Sequence, residues 1–131
     1  MRQFVSAILI VVGIVHLLPV SGVLGAERLT FLYGFSLGEP GLVLLMRHRA
    51  ILFGLLGLFL LFAAFKPALQ RLAFAAAFVS VVSFLWLAWS VGSQSAEIRQ
   101  VFFADVVALV CLLLGVVALA YMHREGKLPG V

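Results

Sequence analysis

Four apolar runs, each near the length needed to cross a hydrocarbon layer, take up most of this 131-residue chain. They cover roughly residues 4–20, 41–65, 72–92 and 101–122. A spanning helix needs about 20 mostly apolar residues because each advances the axis by about 1.5 Å. In lipid the backbone must also satisfy its own hydrogen bonds, which a helix does segment by segment. The expected fold is therefore all-α, an integral membrane four-helix bundle forming one domain over residues 1–131. Composition agrees: 65% of residues are hydrophobic, 11% are charged and the mean hydropathy is +1.25, far from the values of a water-soluble domain. The connections that remain are too short for a soluble catalytic domain.

The formal charge is +4, and in such a chain the excess of Lys and Arg reads as loop charge facing anionic lipid. No basic patch exists outside the loops, which argues against nucleic acid as a partner. The first run, with Arg2 ahead of it and Gly22, Gly25 and Ala26 behind it, also has the outline of a secretory signal. His16 inside the run favours a permanent bundle helix. Cys111, the single cysteine, falls midway along the fourth run and reads as a small apolar packing residue. Orientation follows from the basic residues. Arg2, Lys66, Arg71, Arg124 and Lys127 share one side, against Arg28 and Arg99 on the other when Arg47 and Arg49 are assigned to the membrane boundary. That bias of five to two places both termini in the cytoplasm of a multi-pass inner-membrane protein; counting the boundary pair as loop reduces it to five to four.

The ionisable residues that interrupt the runs gather near the same ends. A charge at a helix centre costs roughly 2.5 to 3.5 kcal/mol on insertion scales, so a residue kept there has a partner or a task. From a second helix starting near Glu39-Pro40, Arg47 lies about 10 Å in, and Asp105 lies about 9 Å into the fourth. His16 sits about 6 Å short of the end of the first. Small residues mark the faces on which membrane helices approach closely. Arg47 shares such a face with Ala50, Gly54, Gly57 and Leu61, Asp105 with Ala108, Leu112 and Gly115, and His16 with Ser6, Leu9 and Gly13. On the third run Ala76, Ser80, Ser83, Leu87 and Ser90 form a mildly polar stripe. These faces predict an Arg47–Asp105 ion pair at the floor of a polar mouth. Arg49, turned about 200° from Arg47, is expected to reach toward lipid headgroups.

His16, Arg47, His48, Asp105, Trp86 and Trp89 are thus the candidate ligand-binding residues. Each also has a structural reading: Arg47 and Asp105 as a helix clamp, His16 as an interhelical hydrogen-bonding group, His48 as an interfacial polar residue, and the tryptophans as an aromatic belt.

Segment 21–40 is long for a bundle turn and partly amphipathic, with Leu24, Leu29, Phe31, Leu32 and Phe35 among Glu27, Arg28 and Glu39, as expected of a short helix capping the mouth. The text Leu32-Tyr33-Gly34-Phe35, then Glu39-Pro40, then Arg47-His48-Arg49-Ala50 with Gly54 and Gly57, resembles the small four-helix bacterial inner-membrane proteins grouped as DoxX-like. Some of these are membrane partners of thiol or thiosulfate oxidation that pass electrons to quinone, and many have no assigned activity. The resemblance implies the four-helix layout and carries over no catalytic residue.

Three function classes follow. The first is a non-enzymatic membrane protein whose periplasm-facing mouth binds a small amphipathic or anionic molecule, such as a lipid headgroup or a quinone. The second is a redox subunit linked to quinone, or to b-type haem with His16 and His48 as axial ligands. The third is a transport element, which requires a homo-oligomer because four helices enclose little water. No His-Glu-x-x-His spacing, activated Ser or Cys, or glycine-rich phosphate loop points to an enzyme, and no resident cofactor or metal is required.

Overall fold

The computed structural model describes residues 2–34, 38–92 and 95–124; Phe35 and Lys127 lie outside them. The described residues are all helical or in short connections: α1 (Arg2–Leu17), a 3-10 segment (Leu18–Leu24), α2 (Ala26–Tyr33), α3 (Pro40–Ala64), α4 (Pro67–Val91) and α5 (Ala96–Arg124). Four stretches, Arg2–Leu24, Pro40–Ala64, Pro67–Val91 and Ala96–Arg124, are long and apolar enough to cross a membrane.

Proline and serine set the boundaries. Pro19 has no N–H and its ring collides with the carbonyl four residues back, so α1 ends at Leu17 and the chain tightens into the 3-10 segment. Pro40 and Pro67 each stand at the start of a helix, where the missing N–H is no loss. Lys66, restricted by the following proline, is extended and separates α3 from α4. The third long helix therefore begins at Pro67, five residues before the position 72 expected from hydropathy. Ser95 caps α5: its hydroxyl accepts the Ile98 N–H at 3.2 Å and donates to the Tyr33 carbonyl at 2.8 Å, joining α2 to α5.

The long helices form a ring in the order α1, α3, α4, α5, each packed on the next and α5 closing on α1. The most extensive contact is α1 with α3. There Gly13 and Gly57 face each other: a Cβ on Gly57 would stand 2.8 Å from the Gly13 carbonyl oxygen, and one on Gly13 would stand 3.1 Å from that of Gly57. Only hydrogen fits at these points, so the two backbones pack directly. Across the ring, α1 also touches α4, whereas the α3 and α5 backbones do not approach each other.

Leu9, Val12, Leu60, Ala77, Val81 and Leu112 fill the centre, and Phe74 of α4 covers Gly115 of α5. Much of the outer surface is apolar, with Leu44, Leu55, Phe62, Val79, Val107 and Val117 among its exposed side chains. The polar stripe expected on the third run is largely displaced. Ser83 and Ser90 face outward, each donating to the carbonyl three residues back on its own helix at 2.9 and 2.8 Å, and Leu87 is exposed beside them. A serine that bonds its own helix needs no partner helix. The buried face of α4 is instead Gln70, Ala73, Phe74, Ala77, Val81 and Ala88.

The short α2 lies at the ends of α1 and α3–α5 remote from the α3–α4 turn. Gly25 and Gly34, both with positive φ (138° and 71°), bracket it and let the chain reverse on either side. Leu29 and Tyr33 are buried one turn apart against Val43, Met46 and Ile98, so α2 is packed down on the starts of α3 and α5.

Replacing Gly57 with Ala forces a methyl against the Gly13 carbonyl and should cost about 1 to 3 kcal/mol. Gly41→Ala, where the nearest atom to the added Cβ is 3.9 Å away, should be close to neutral. Thermal unfolding of the two purified variants in the same detergent checks this.

Candidate functional site

A cavity of about 610 Å³ lies under α2, within the range of small-molecule sites. Its walls come from the α1 end and the 3-10 segment (Val15, His16, Leu18, Pro19), from α2 (Thr30 to Tyr33), from Arg49 and Phe53 of α3, Phe84 of α4, and Glu97, Gln100 and Asp105 of α5. It exists because α3 and α5 stay apart at this end while α2 bridges above them.

His16 is buried on α1. Its Nδ1 donates to the Val12 carbonyl at 2.9 Å, which in the neutral ring leaves Nε2 to accept from the Ser80 hydroxyl at 3.2 Å. The imidazole thus ties α1 to α4 while one side of it meets the cavity, tilted beside Phe53 at 5.6 Å between centroids.

Arg49 holds the centre of the site. Its guanidinium carbon lies 5.0 Å from the Phe53 ring centroid, 5.5 Å from Tyr33 and 5.8 Å from Phe84. Three rings contributed by α2, α3 and α4 therefore surround one cation, each contact being of a kind worth about 0.5 to 2 kcal/mol. Asp105, 9% exposed, lines the same cavity from α5 and feels the Arg49 charge. Glu97, two helical turns nearer the start of α5, lays its carboxylate against Gly34, where a side chain would have no room.

The expected Arg47–Asp105 pair is not formed, and Arg49 is the arginine that faces Asp105. Arg47 is exposed and its Nε donates to the Val23 carbonyl at 2.8 Å, fastening the 3-10 segment to α3. The reason is the direction of the small-residue face. Ala50, Gly54 and Gly57 pack on α1 and its continuation, where Val20 comes within 3.0 Å of a Cβ on Gly54. Arg47, on that face, meets the 3-10 segment. Arg49 shares a face about 100° farther round the helix with Phe53, Leu56 and Leu60, and that face looks into the ring. An arginine followed four residues later by phenylalanine, in line with core leucines, is the signal that marks this face in the sequence.

Of the six predicted residues, His16 and Asp105 come together on the cavity. His48 is exposed on α3 and Trp86 and Trp89 are exposed on α4, none of them lining it. His16 and His48 therefore do not share the cavity. Among the described residues no three His, Cys, Asp or Glu side chains gather into a metal-binding group.

A second polar cluster, which hydropathy did not reveal, sits at the opposite end. The Ser6 hydroxyl donates to the Ala64 carbonyl at 2.6 Å, and the buried Gln70 amide reaches the same carbonyl at 3.3 Å and Ser6 Oγ at 3.4 Å. Ala64 ends α3, so its carbonyl has no intrahelical donor; Ser6 and Gln70 supply two. Arg71 donates to His123 Nδ1 at 3.1 Å nearby. The start of α1, the α3–α4 turn and the end of α5 therefore occupy one end of the bundle.

No protein-family model, curated protein or solved structure matches this chain.

In a double-mutant cycle, Arg49→Ala and Asp105→Ala should couple by about 0.5 to 3 kcal/mol, because the two opposite charges act on one another in the same cavity. Arg47→Ala and Asp105→Ala should add to within about 0.5 kcal/mol. Denaturant or thermal unfolding of the four single and double variants against wild type measures both.

Proposed function

We propose that this chain is an integral membrane protein whose α2-capped cavity binds a small amphipathic molecule by its polar head. The observation that carries the reading is the cavity itself: a space of ligand size in which Arg49 and Asp105 face one another between apolar and aromatic walls. A purely structural ion pair needs no such space around it, and a closed core would fill it with side chains. The exposed leucines, valines and phenylalanines of α3, α4 and α5 support a lipid surround, since in water they would form apolar patches far larger than a soluble monomer carries. Trp86 and Trp89, exposed toward the α2 end of α4, fit an interfacial belt at that level.

The Lys and Arg distribution supports a multi-pass inner-membrane protein with both termini cytoplasmic, which points α2 and the cavity to the periplasmic side. The DoxX-like resemblance in Tyr33-Gly34 and the arginine-bearing start of α3 falls on the cap and on the site arginine, and is compatible with this assignment. The reading is of a binding protein. A quinone in the cavity would make it a redox partner; His16 and Arg49, rather than His48, would then stand beside the ring.

Two outcomes test this. A cysteine placed at Ser21, on the exposed 3-10 segment, should be labelled by a membrane-impermeant maleimide from outside the cell, and a reporter fused to the C-terminus should be active in the cytoplasm; labelling at Arg71→Cys instead inverts the orientation. Filling the cavity with Ala104→Trp, at an exposed α5 position on its wall, should leave the melting temperature within a few degrees of wild type. It should also remove most of the amphiphile that mass spectrometry finds after solvent extraction of the purified protein. Equal amounts from both proteins would place the binding elsewhere.

A further inference from the structure

We propose that the cavity takes a phospholipid headgroup bearing both a phosphate and a primary ammonium, with the phosphate on Arg49 and the ammonium on Asp105. This assignment rests on the amphiphile-binding reading above and names the chemistry of its ligand.

The charges on the cavity wall make the choice. Arg49 is the cation there, and Asp105 and Glu97 are the anions. An anionic headgroup would meet one guanidinium and two carboxylates, so repulsion offsets what it gains. A neutral head, such as a quinone ring, offers acceptor oxygens to Arg49 but no donors to the carboxylates. A headgroup with its own phosphate and ammonium satisfies both signs at once, the phosphate facing Arg49 and the ammonium facing Asp105.

The geometry of each wall suits its half of the headgroup. A guanidinium offers five N–H donors in a planar fork matched to two phosphate oxygens. The Phe53 and Phe84 rings compensate the Arg49 charge without providing an acceptor atom, so they do not use up those donors. On α5, Asp105 and Glu97 are two turns apart, about 12 Å along the axis, one deep in the cavity and one against Gly34 beneath the α2 cap. Asp105, the carboxylate acting on Arg49, accepts hydrogen bonds from a primary ammonium, which a trimethylated nitrogen cannot donate, while Glu97 adds negative charge nearer the cap.

The rim accounts for the rest of the lipid. The most exposed large apolar side chains lining the cavity are Phe31 of α2 at 77% and Leu18 of the 3-10 segment at 64%. Both are large and apolar, which is what acyl chains leaving a polar pocket require. A soluble phosphoethanolamine-type metabolite would have no use for them.

The full-length protein, washed with detergent, is exchanged into mixed micelles holding equal amounts of ethanolamine, choline and glycerol phospholipids with identical acyl chains. After repurification the retained lipid is quantified by mass spectrometry. The ethanolamine lipid should exceed each of the others by about tenfold, the scale of one charge-assisted hydrogen bond. Asp105→Asn should bring ethanolamine down toward the choline level, and Arg49→Gln should lower all three. Glu97→Gln, two turns away along α5, should leave the ethanolamine preference over choline nearly unchanged, and Asp105→Glu, which keeps the carboxylate, should retain it even if Asp105→Asn does not fold. Retention of choline or glycerol lipid as strong as that of ethanolamine, or an ethanolamine preference unchanged in folded Asp105→Asn, overturns the headgroup assignment while leaving an amphiphile site in place. A quinone as the one retained molecule from native membranes does the same. If wild type and Ala104→Trp retain no amphiphile of any kind, the binding function itself fails, and this assignment with it.

Discussion

The close approach of α1 and α3 at Gly13 and Gly57 governs the rest of the molecule. Between apolar helices in lipid the hydrophobic effect gives no preference for one neighbour over another, and association depends on how near the backbones can come. With carbonyl oxygens at both glycines inside the reach of a Cβ, this interface commits the whole small-residue face of α3 to α1. Two consequences follow from helical geometry alone. Arg47, on the committed face, is carried to the 3-10 segment and bonds the Val23 carbonyl. Arg49, on the neighbouring face about 100° away, is carried into the ring, where Phe53, Phe84 and Tyr33 receive it. Because α1 takes α3 and also touches α4 across the ring, α3 and α5 remain separated, and that separation is the cavity.

The two ends of the bundle treat polar groups in opposite ways. At the α3–α4 turn, Ser6 and Gln70 converge on the Ala64 carbonyl, neutral groups that close a helix end and leave no charge facing the interior. At the α2 end, Arg49, Asp105 and Glu97 border empty volume. Neutral donors meeting an orphan carbonyl are an economical way to stabilise a helix terminus in apolar surroundings. Opposed charges held apart across a cavity are poorly suited to that task, since burying them costs more than their attraction returns unless the geometry is tight. His16 belongs to both patterns: it joins α1 to α4 through Ser80 and also presents its ring to the cavity.

Much of the architecture was legible in the residues. The lengths of the apolar runs mark the four long helices, and Pro40 marks the start of α3. The amphipathic character of 21–40 marks the capping helix, of which Leu29 and Tyr33 are the buried face. His16 and Asp105, which both line the cavity, stood out because an ionisable group inside an apolar run is costly wherever the run is placed. The start of α4 and the inward turn of Gln70 were not legible, since the half-polar hexapeptide 66–71 between two apolar runs has the same composition whether it is a loop or the first turns of a helix. The outward serines of α4 misled for a related reason: a hydroxyl bonded to its own helix is polar in composition and apolar in its packing demands.

The sequence by itself determined that the chain is helical, that four of its helices can cross a membrane, and that the ionisable residues interrupting the apolar runs gather near one end. These follow from local quantities, namely the length of each run, its hydropathy and the cost of each interrupting charge. Only the tertiary structure decided which arginine meets Asp105. That choice depends on which neighbour takes the glycine face of α3, a comparison between pairs of helices that no single segment encodes. Arg47 and Arg49 are two residues apart and chemically identical; the backbone contact at Gly13 and Gly57 sends one to the surface and the other to the site.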